Sequence, residues 1–231
     1  MLEDLKQDVL EANRQLETSG LVKLTWGNVS GIDRDQGLVV IKPSGVPYAD
    51  LRTEHLVVLD LDGNPVESEL NPSSDTPTHL RLYQEWPEIK GITHTHSEHA
   101  TMFCQAVREI PCLGTTHADH FFGTIPVARA LTKEELDEGY ELNTGNVIIE
   151  RFQDLNPMEM PAVLLAHHAP FTWGRSPMDS LKNSIALESV ARMALGAFQL
   201  NPELTAMPEH ILNKHYERKH GPDAYYGQKH K

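Results

Sequence analysis

A chain of 231 residues with 39% hydrophobic content carries enough apolar side chain to bury a core without disulfide or metal staples. Its formal charge of −13 excludes nucleic acid and anionic membrane surfaces as natural partners, because both demand basic protein surface. A small phosphorylated molecule stays compatible, since backbone N–H groups, hydroxyls and one lysine hold a phosphate locally whatever the global charge.

The N-terminus, Met1-Leu2-Glu3-Asp4, is charged from the start, and no apolar run reaches membrane-spanning length, so a soluble, untargeted protein is expected. Cys104 and Cys112 sit in apolar settings without CxxC spacing. That pattern argues against a structural disulfide and for a reducing cytoplasm.

Leu5, Val9, Ala12 and Leu16 recur at helical spacing and Gly20 supplies a stop, which predicts an opening amphipathic helix. The short apolar runs 37–42 (GLVVIK) and 56–61 (LVVLDL) read as buried strands, the second closing at the turn pair Asp62-Gly63. Thr76-Pro77 reads as N-cap and N1 of a helix that turns Leu80 and Tyr83 inward, leaving Ser73, Ser74 and Asp75 at its N-terminus, where an anion could dock. Ser97 is placed to cap a helix with Ala100, Phe103, Cys104 and Val107 on one face. The runs 146–150 (NVIIE) and 162–166 (AVLLA) are expected as strands. Ser176-Pro177 opens a long helix with Leu181, Ile185 and Met193 among its apolar positions, ending near Gln199. A last helix runs from Pro208 through Lys219 and stops at Gly221-Pro222. Trp26 is expected in the core. No repeat or linker divides the chain, so one α/β domain with one site is expected.

The segment Thr93-His94-Thr95-His96 ends an apolar run, and two histidines at i and i+2 leave the same face of a strand. Two imidazoles so spaced reach one Zn²⁺ at about 2.0–2.1 Å each. A third ligand is offered at His167 or His168, directly after the 162–166 run, and a carboxylate at Asp75. Such an N/O donor set suits Zn²⁺, with Mn²⁺ or Co²⁺ as substitutes.

Four loops occur in fixed order: Trp26-Gly27-Asn28-Val29-Ser30, Lys42-Pro43-Ser44-Gly45, Ser73-Ser74-Asp75-Thr76-Pro77-Thr78-His79 and His94-Thr95-His96. With Thr115-Thr116-His117-Ala118-Asp119, Lys214-His215-Tyr216 and Ala224-Tyr225-Tyr226-Gly227-Gln228, they make the chain resemble the class II aldolase/adducin superfamily. Within it the chain is similar to the L-ribulose-5-phosphate 4-epimerase family over essentially its whole length.

The resemblance implies a three-layer α/β/α fold around a mostly antiparallel central sheet. Residues 1–231 would form a single domain whose tail, 221–231, reaches the active-site region, assembled as a homotetramer with sites between neighbouring subunits. It implies Zn²⁺ held by His94, His96 and His168, with Asp75 as the nearby carboxylate ligand. Ala169 stands where the family shows glycine, a change that costs stability wherever φ is positive. Gly27, Asn28, Ser44, Gly45, Ser73 and Ser74 would bind the phosphate of a phosphorylated ketopentose, with Lys42 adding charge. Asp119, and Tyr226 of the adjacent subunit, would serve as the two acid/base groups, with His215 supporting the tyrosine's side of the cleft.

The C4 proton of a ketopentose phosphate is not adjacent to the carbonyl, so inversion at C4 is expected through cleavage and re-formation of the C3–C4 bond, with one acid/base group per face. Two other readings stay open. A class II aldolase of the L-fuculose- or L-rhamnulose-1-phosphate type carries glutamate where this chain has Asp75. A non-catalytic adducin-like module lacks the metal histidines.

Overall fold

The structure is a computed structural model and describes residues 2–225. Tyr226 and the rest of the tail lie outside the described residues. Helix α1 (Leu2–Thr18) buries Val9, Ala12 and Leu16, and the chain leaves it through Gly20 at φ +75°. Strands β1 (Asn28–Asp33), β2 (Leu38–Ile41), β3 (Val57–Asp60) and β4 (Pro65–Glu67) follow as successive antiparallel neighbours. With β5 (Gly91–His94), β6 (Val127–Ala128), β7 (Ala162–Leu165) and β8 (Pro170–Gly174) they form one eight-stranded sheet in the order β4-β3-β2-β1-β5-β8-β7-β6. Among the described residues, only the β6–β7 pair is parallel.

The alternation of side chains along β1 sets the layers. Val29 and Gly31 face α1 and α6 (Pro177–Leu200); a Cβ on Gly31 would meet Leu5 and Pro177 at 2.7 Å. Ser30 and Ile32 face the other way, where the Ser30 hydroxyl meets His79 Nδ1 at 2.7 Å and the Tyr83 hydroxyl at 2.8 Å on α2 (Thr76–Glu85). Helix α5 (Lys133–Arg151) lies against α2 so closely that a Cβ on Gly145 would strike Arg81 at 2.8 Å. The sheet is thus enclosed between α1 with α6 and α2 with α5.

Several expectations need correction. Residues 146–150 are the last turns of α5, not a strand; Thr144, Gly145, Val147 and Ile148 share its buried face at helical spacing. A short apolar run fits either period, and here it belongs to the helical segment that follows the break at Gly139 and packs against α2. The N-cap of α2 is Asp75, one residue before Thr76, which leaves the Asp75 carboxylate free of capping. Ser97 does precede α3 (Glu98–Gln105), but its side chain makes no cap bond; Glu188 of α6 accepts from the N–H of His99 and Ala100, both at 3.0 Å. Val107 lies beyond α3 and is exposed, as are Ile185 and Met193 on α6, whose core face is Leu187, Val190, Ala191 and Ala194. Trp26 is half-exposed rather than core. Cys104 and Cys112 are both buried with free thiols, and no described helix is long and apolar enough to cross a membrane.

Candidate metal and sugar-phosphate site

Strand β5 ends at His94, and His96 follows two residues on in the stretch that leads into α3. His168 arrives from the turn between β7 and β8, where its N–H donates to the Leu165 carbonyl at 3.1 Å. The left-handed position of that turn is His167, at φ +63°, so its side chain faces solvent. Ala169 has no positive φ, so the alanine found there carries no backbone cost. The ring centroids of His94, His96 and His168 stand 4.9–5.1 Å apart. One ring nitrogen from each lies within 4.8 Å of the other two, and among the described residues this is the group able to hold a metal ion.

The chemistry of these donors fits a divalent cation. Nδ1 of His94 donates to the Pro170 carbonyl at 3.0 Å, which leaves Nε2 as a bare lone pair. That Nε2 lies 3.2 Å from Nε2 of His96, close to the roughly 3.3 Å that two tetrahedral ligands of one Zn²⁺ would keep. Burial, then the neighbouring His94, pushes His96 down to about 4, and the same causes with His96 push His168 down to about 3. Both imidazoles are therefore neutral and ligand-competent at physiological pH.

Asp75 lines the same cavity but stands outside the histidine group. Its Oδ2 accepts from Asn28 Nδ2 at 2.7 Å, and the same amide donates to Ser73 Oγ at 2.9 Å. Burial raises the Asp75 carboxyl, but His94, His79 and the Asn28 amide outweigh it and hold it below the ordinary value. The carboxylate therefore stays charged in the cavity that holds the cluster.

Around these residues lies a cavity of about 370 Å³. Gly27, Asn28, Lys42, Ser44, Gly45, Ser73 and Ser74 all line it. Gly27 sits at φ +81°, and a Cβ there would meet the His94 carbonyl oxygen at 2.8 Å, so the loop passes directly over the end of β5. Lys42 is buried against the Tyr48 ring, 4.8 Å from its centroid, with Nζ donating to the Pro43 carbonyl at 3.3 Å. Burial lowers this amine to about 8. It is the lone lysine or arginine among the described lining residues.

Three lining residues, Thr25, Tyr140 and Glu141, escaped the sequence reading. Tyr140 and Glu141 reach the cavity from α5, just after a break in the helix at Gly139. The glycine was the available signal, hidden once the next segment read as a strand.

Asp119 does not line this cavity. It ends the short helix α4 (Thr115–Ala118) and is tied to α7 (Glu209–His220). Arg218 donates to both its oxygens, at 3.1 and 2.6 Å, His215 Nδ1 lies 3.2 Å away and Lys219 Nζ 3.7 Å. Burial opposes ionisation of Asp119, but Arg218, His215 and Lys219 prevail and lower its pKa. The chain continues to Tyr225, whose N–H donates to the Arg218 carbonyl at 3.0 Å. Asp119 and the root of the tail are thus one unit.

The chain matches the family described as Class II Aldolase and Adducin N-terminal domain over residues 7–195. It is 53% identical over 228 residues to L-ribulose-5-phosphate 4-epimerase UlaF of Salmonella paratyphi B, covering 99% of this chain and 100% of that protein. The figures for the UlaF protein of Salmonella typhi are the same. Among solved structures, an L-fuculose 1-phosphate aldolase superposes with a TM-score of 0.78 at 28% identity, covering 93% of this chain and 95% of the other. YgbL of Klebsiella pneumoniae, described as a putative aldolase/epimerase/decarboxylase, shares the fold with a TM-score of 0.71 at 22% identity, covering 92% and 97%.

Proposed function

The chain belongs to the class II aldolase and adducin family, and from that premise we propose that it is a metal-dependent L-ribulose-5-phosphate 4-epimerase producing D-xylulose 5-phosphate. The observation that carries this reading is the 53% identity, end to end, to proteins bearing that name. The arrangement of the cavity supports it. Three clustered imidazoles share its lining with a set of hydroxyls, amides and Lys42.

His94, His96 and His168 are the proposed ligands, of Zn²⁺ or of Mn²⁺ or Co²⁺ in its place, with Asp75 beside them. Such an ion supplies Lewis acidity toward negative charge that develops on a substrate oxygen. Ser44, Gly45, Ser73 and Ser74, with Gly27, Asn28 and Lys42, would take the phosphate through hydroxyls, backbone N–H groups and the start of α2. With phosphate and ketose end both held, the C4 hydroxyl gives up a proton and the C3–C4 bond breaks. Its electron pair passes to the C2 oxygen, leaving glycolaldehyde phosphate and the enediolate of dihydroxyacetone. Rotation of the aldehyde and re-formation of the bond invert C4, and a proton returns on the other face.

Asp119 and Tyr226 are the proposed acid/base groups. Because Asp119 is ion-paired to α7, which leads directly into the tail, both are proposed to come from the same neighbouring subunit of a homotetramer. His215, against Asp119, would support that arm.

The test is incubation of metal-loaded protein with L-ribulose 5-phosphate. Formation of D-xylulose 5-phosphate supports the reading. Rapid release of dihydroxyacetone and glycolaldehyde phosphate with little epimer would instead favour an aldolase, as the likeness to L-fuculose 1-phosphate aldolase would suggest.

A further inference from the structure

The aromatic rings beside the three histidines of the cluster are Phe171, Trp26 and Tyr140, and they are not alike. Phe171 stacks on His94 at 4.2 Å between centroids and is wholly buried. Trp26 lies against His96 at 6.3 Å and Tyr140 against His168 at 5.9 Å, yet these rings are 52% and 37% exposed. Both line the cavity. Among the described residues, no hydrogen bond engages the Trp26 indole N–H or the Tyr140 hydroxyl.

Their backbones, by contrast, are anchored. The buried Tyr48 hydroxyl lies 2.8 Å from the Trp26 carbonyl oxygen and 2.7 Å from that of Gly27. On the other side, the Thr78 hydroxyl donates to the Glu141 carbonyl at 2.6 Å, just past the break at Gly139 that turns Tyr140 toward the cavity. Rings held at their base and open at their face are surfaces shaped for a ligand, since exposed aromatic area lowers free energy only when something covers it.

Resting on the epimerase reading, we infer that Trp26 and Tyr140 are the two side walls that keep the cleaved fragments together until the C3–C4 bond re-forms. After cleavage the enediolate has two fates. It attacks the rotated aldehyde, which completes epimerisation, or it takes a proton from water at C3 and becomes free dihydroxyacetone, which completes net cleavage. Aromatic faces over the carbon skeleton exclude the water that the second fate requires. The ring is the working part of each wall, so the Tyr140 hydroxyl is dispensable for retention.

The experiment measures dihydroxyacetone released per D-xylulose 5-phosphate formed from L-ribulose 5-phosphate, for metal-loaded wild type and for Trp26→Ala, Trp26→Phe, Tyr140→Ala and Tyr140→Phe. Both alanine variants should raise the ratio by about tenfold or more with wild-type metal content, and both phenylalanine variants should stay near wild type. Alanine variants that keep the wild-type ratio overturn the inference, as does Tyr140→Phe matching Tyr140→Ala. Alanine variants that lose the wild-type oligomer identify the rings as subunit contacts and also overturn it. Should wild type itself form no D-xylulose 5-phosphate, the proposed function fails first and the inference with it. If an alanine variant does not fold, Trp26→Leu or Tyr140→Leu takes its place, with the same rise in the ratio expected and an unchanged ratio overturning the inference.

Discussion

His94 Nδ1 donates to the carbonyl oxygen of Pro170 at 3.0 Å, across the pairing of β5 with β8. A carbonyl only accepts, so this bond fixes the His94 tautomer and presents Nε2 to the cluster. The third donor should then be His168 and not His167, whose left-handed backbone turns its ring to solvent. Replacing His94, His96 or His168 by Asn should lower bound metal and activity together, by about 10-fold or more in affinity, while His167→Asn keeps both. Elemental analysis of purified variants checks this. A full metal complement in His168→Asn would remove that residue from the ligand set.

Two glycines that line the cavity should respond differently to the same substitution. A Cβ on Gly27, at φ +81°, would meet the His94 carbonyl oxygen at 2.8 Å, whereas a Cβ on Gly45, at φ +70°, meets nothing within 4 Å. Gly45→Ala should carry only the left-handed backbone penalty of about 1–2 kcal/mol. Gly27→Ala should cost more and displace the end of β5, lowering metal affinity as well. Denaturant midpoints together with metal titration distinguish the two, and equal losses of stability with unchanged metal binding in both would contradict the steric argument.

The Asp119–Arg218 pairing makes a prediction about mixed oligomers. If Asp119 and Tyr226 arrive on one arm, Asp119→Asn should lower the rate by about 10²–10⁴ and leave metal bound. Mixing it with Tyr226→Phe under subunit exchange should restore nothing, because every arm carries one defect. Mixing Asp119→Asn with His94→Asn should restore activity at roughly a quarter of sites in a randomly assembled ring, where an intact arm meets intact histidines. The reverse pattern, with recovery from Asp119→Asn and Tyr226→Phe, would place the two groups on different subunits.

His79 gives stability a pH dependence that does not involve the cavity's contents. It is fully buried between Ser30 and Phe171, and burial, opposed by Asp75, pushes its imidazole down to about 3. The unfolded chain titrates it near 6.5. Below that pH the unfolded state binds the extra proton, so the stability is whole above about 6.5 and falls as pH drops toward 4, with a limiting slope of about 1.4 kcal/mol per pH unit. Urea unfolding of metal-free protein between pH 7 and 4 should show a shallower decline in His79→Gln than in wild type. Parallel curves would mean that His79 is not the group responsible.

What local sequence determined follows from short-range geometry. The stops at Gly20 and Gly221, the strands at 38–41, 57–60 and 162–165, and the His-x-His pair all depend on backbone period and capping, which a few neighbouring residues fix. The pooled motifs extended this to the family, and with it to a mostly antiparallel sheet whose strand directions no local pattern carries. Tertiary structure decided the rest. Asn146–Glu150 is helical because the segment after the break at Gly139 packs against α2, although its own residues fit a strand equally well. Trp26 and Tyr140 stand at the cavity because Tyr48 and Thr78, distant in sequence, hold their loops there. His168 displaces His167 because the turn places its left-handed residue at 167. Asp119 pairs with Arg218, 99 residues away, and leaves its own cavity. A side chain's neighbours across such separations are set by packing of whole layers, which no window of sequence contains.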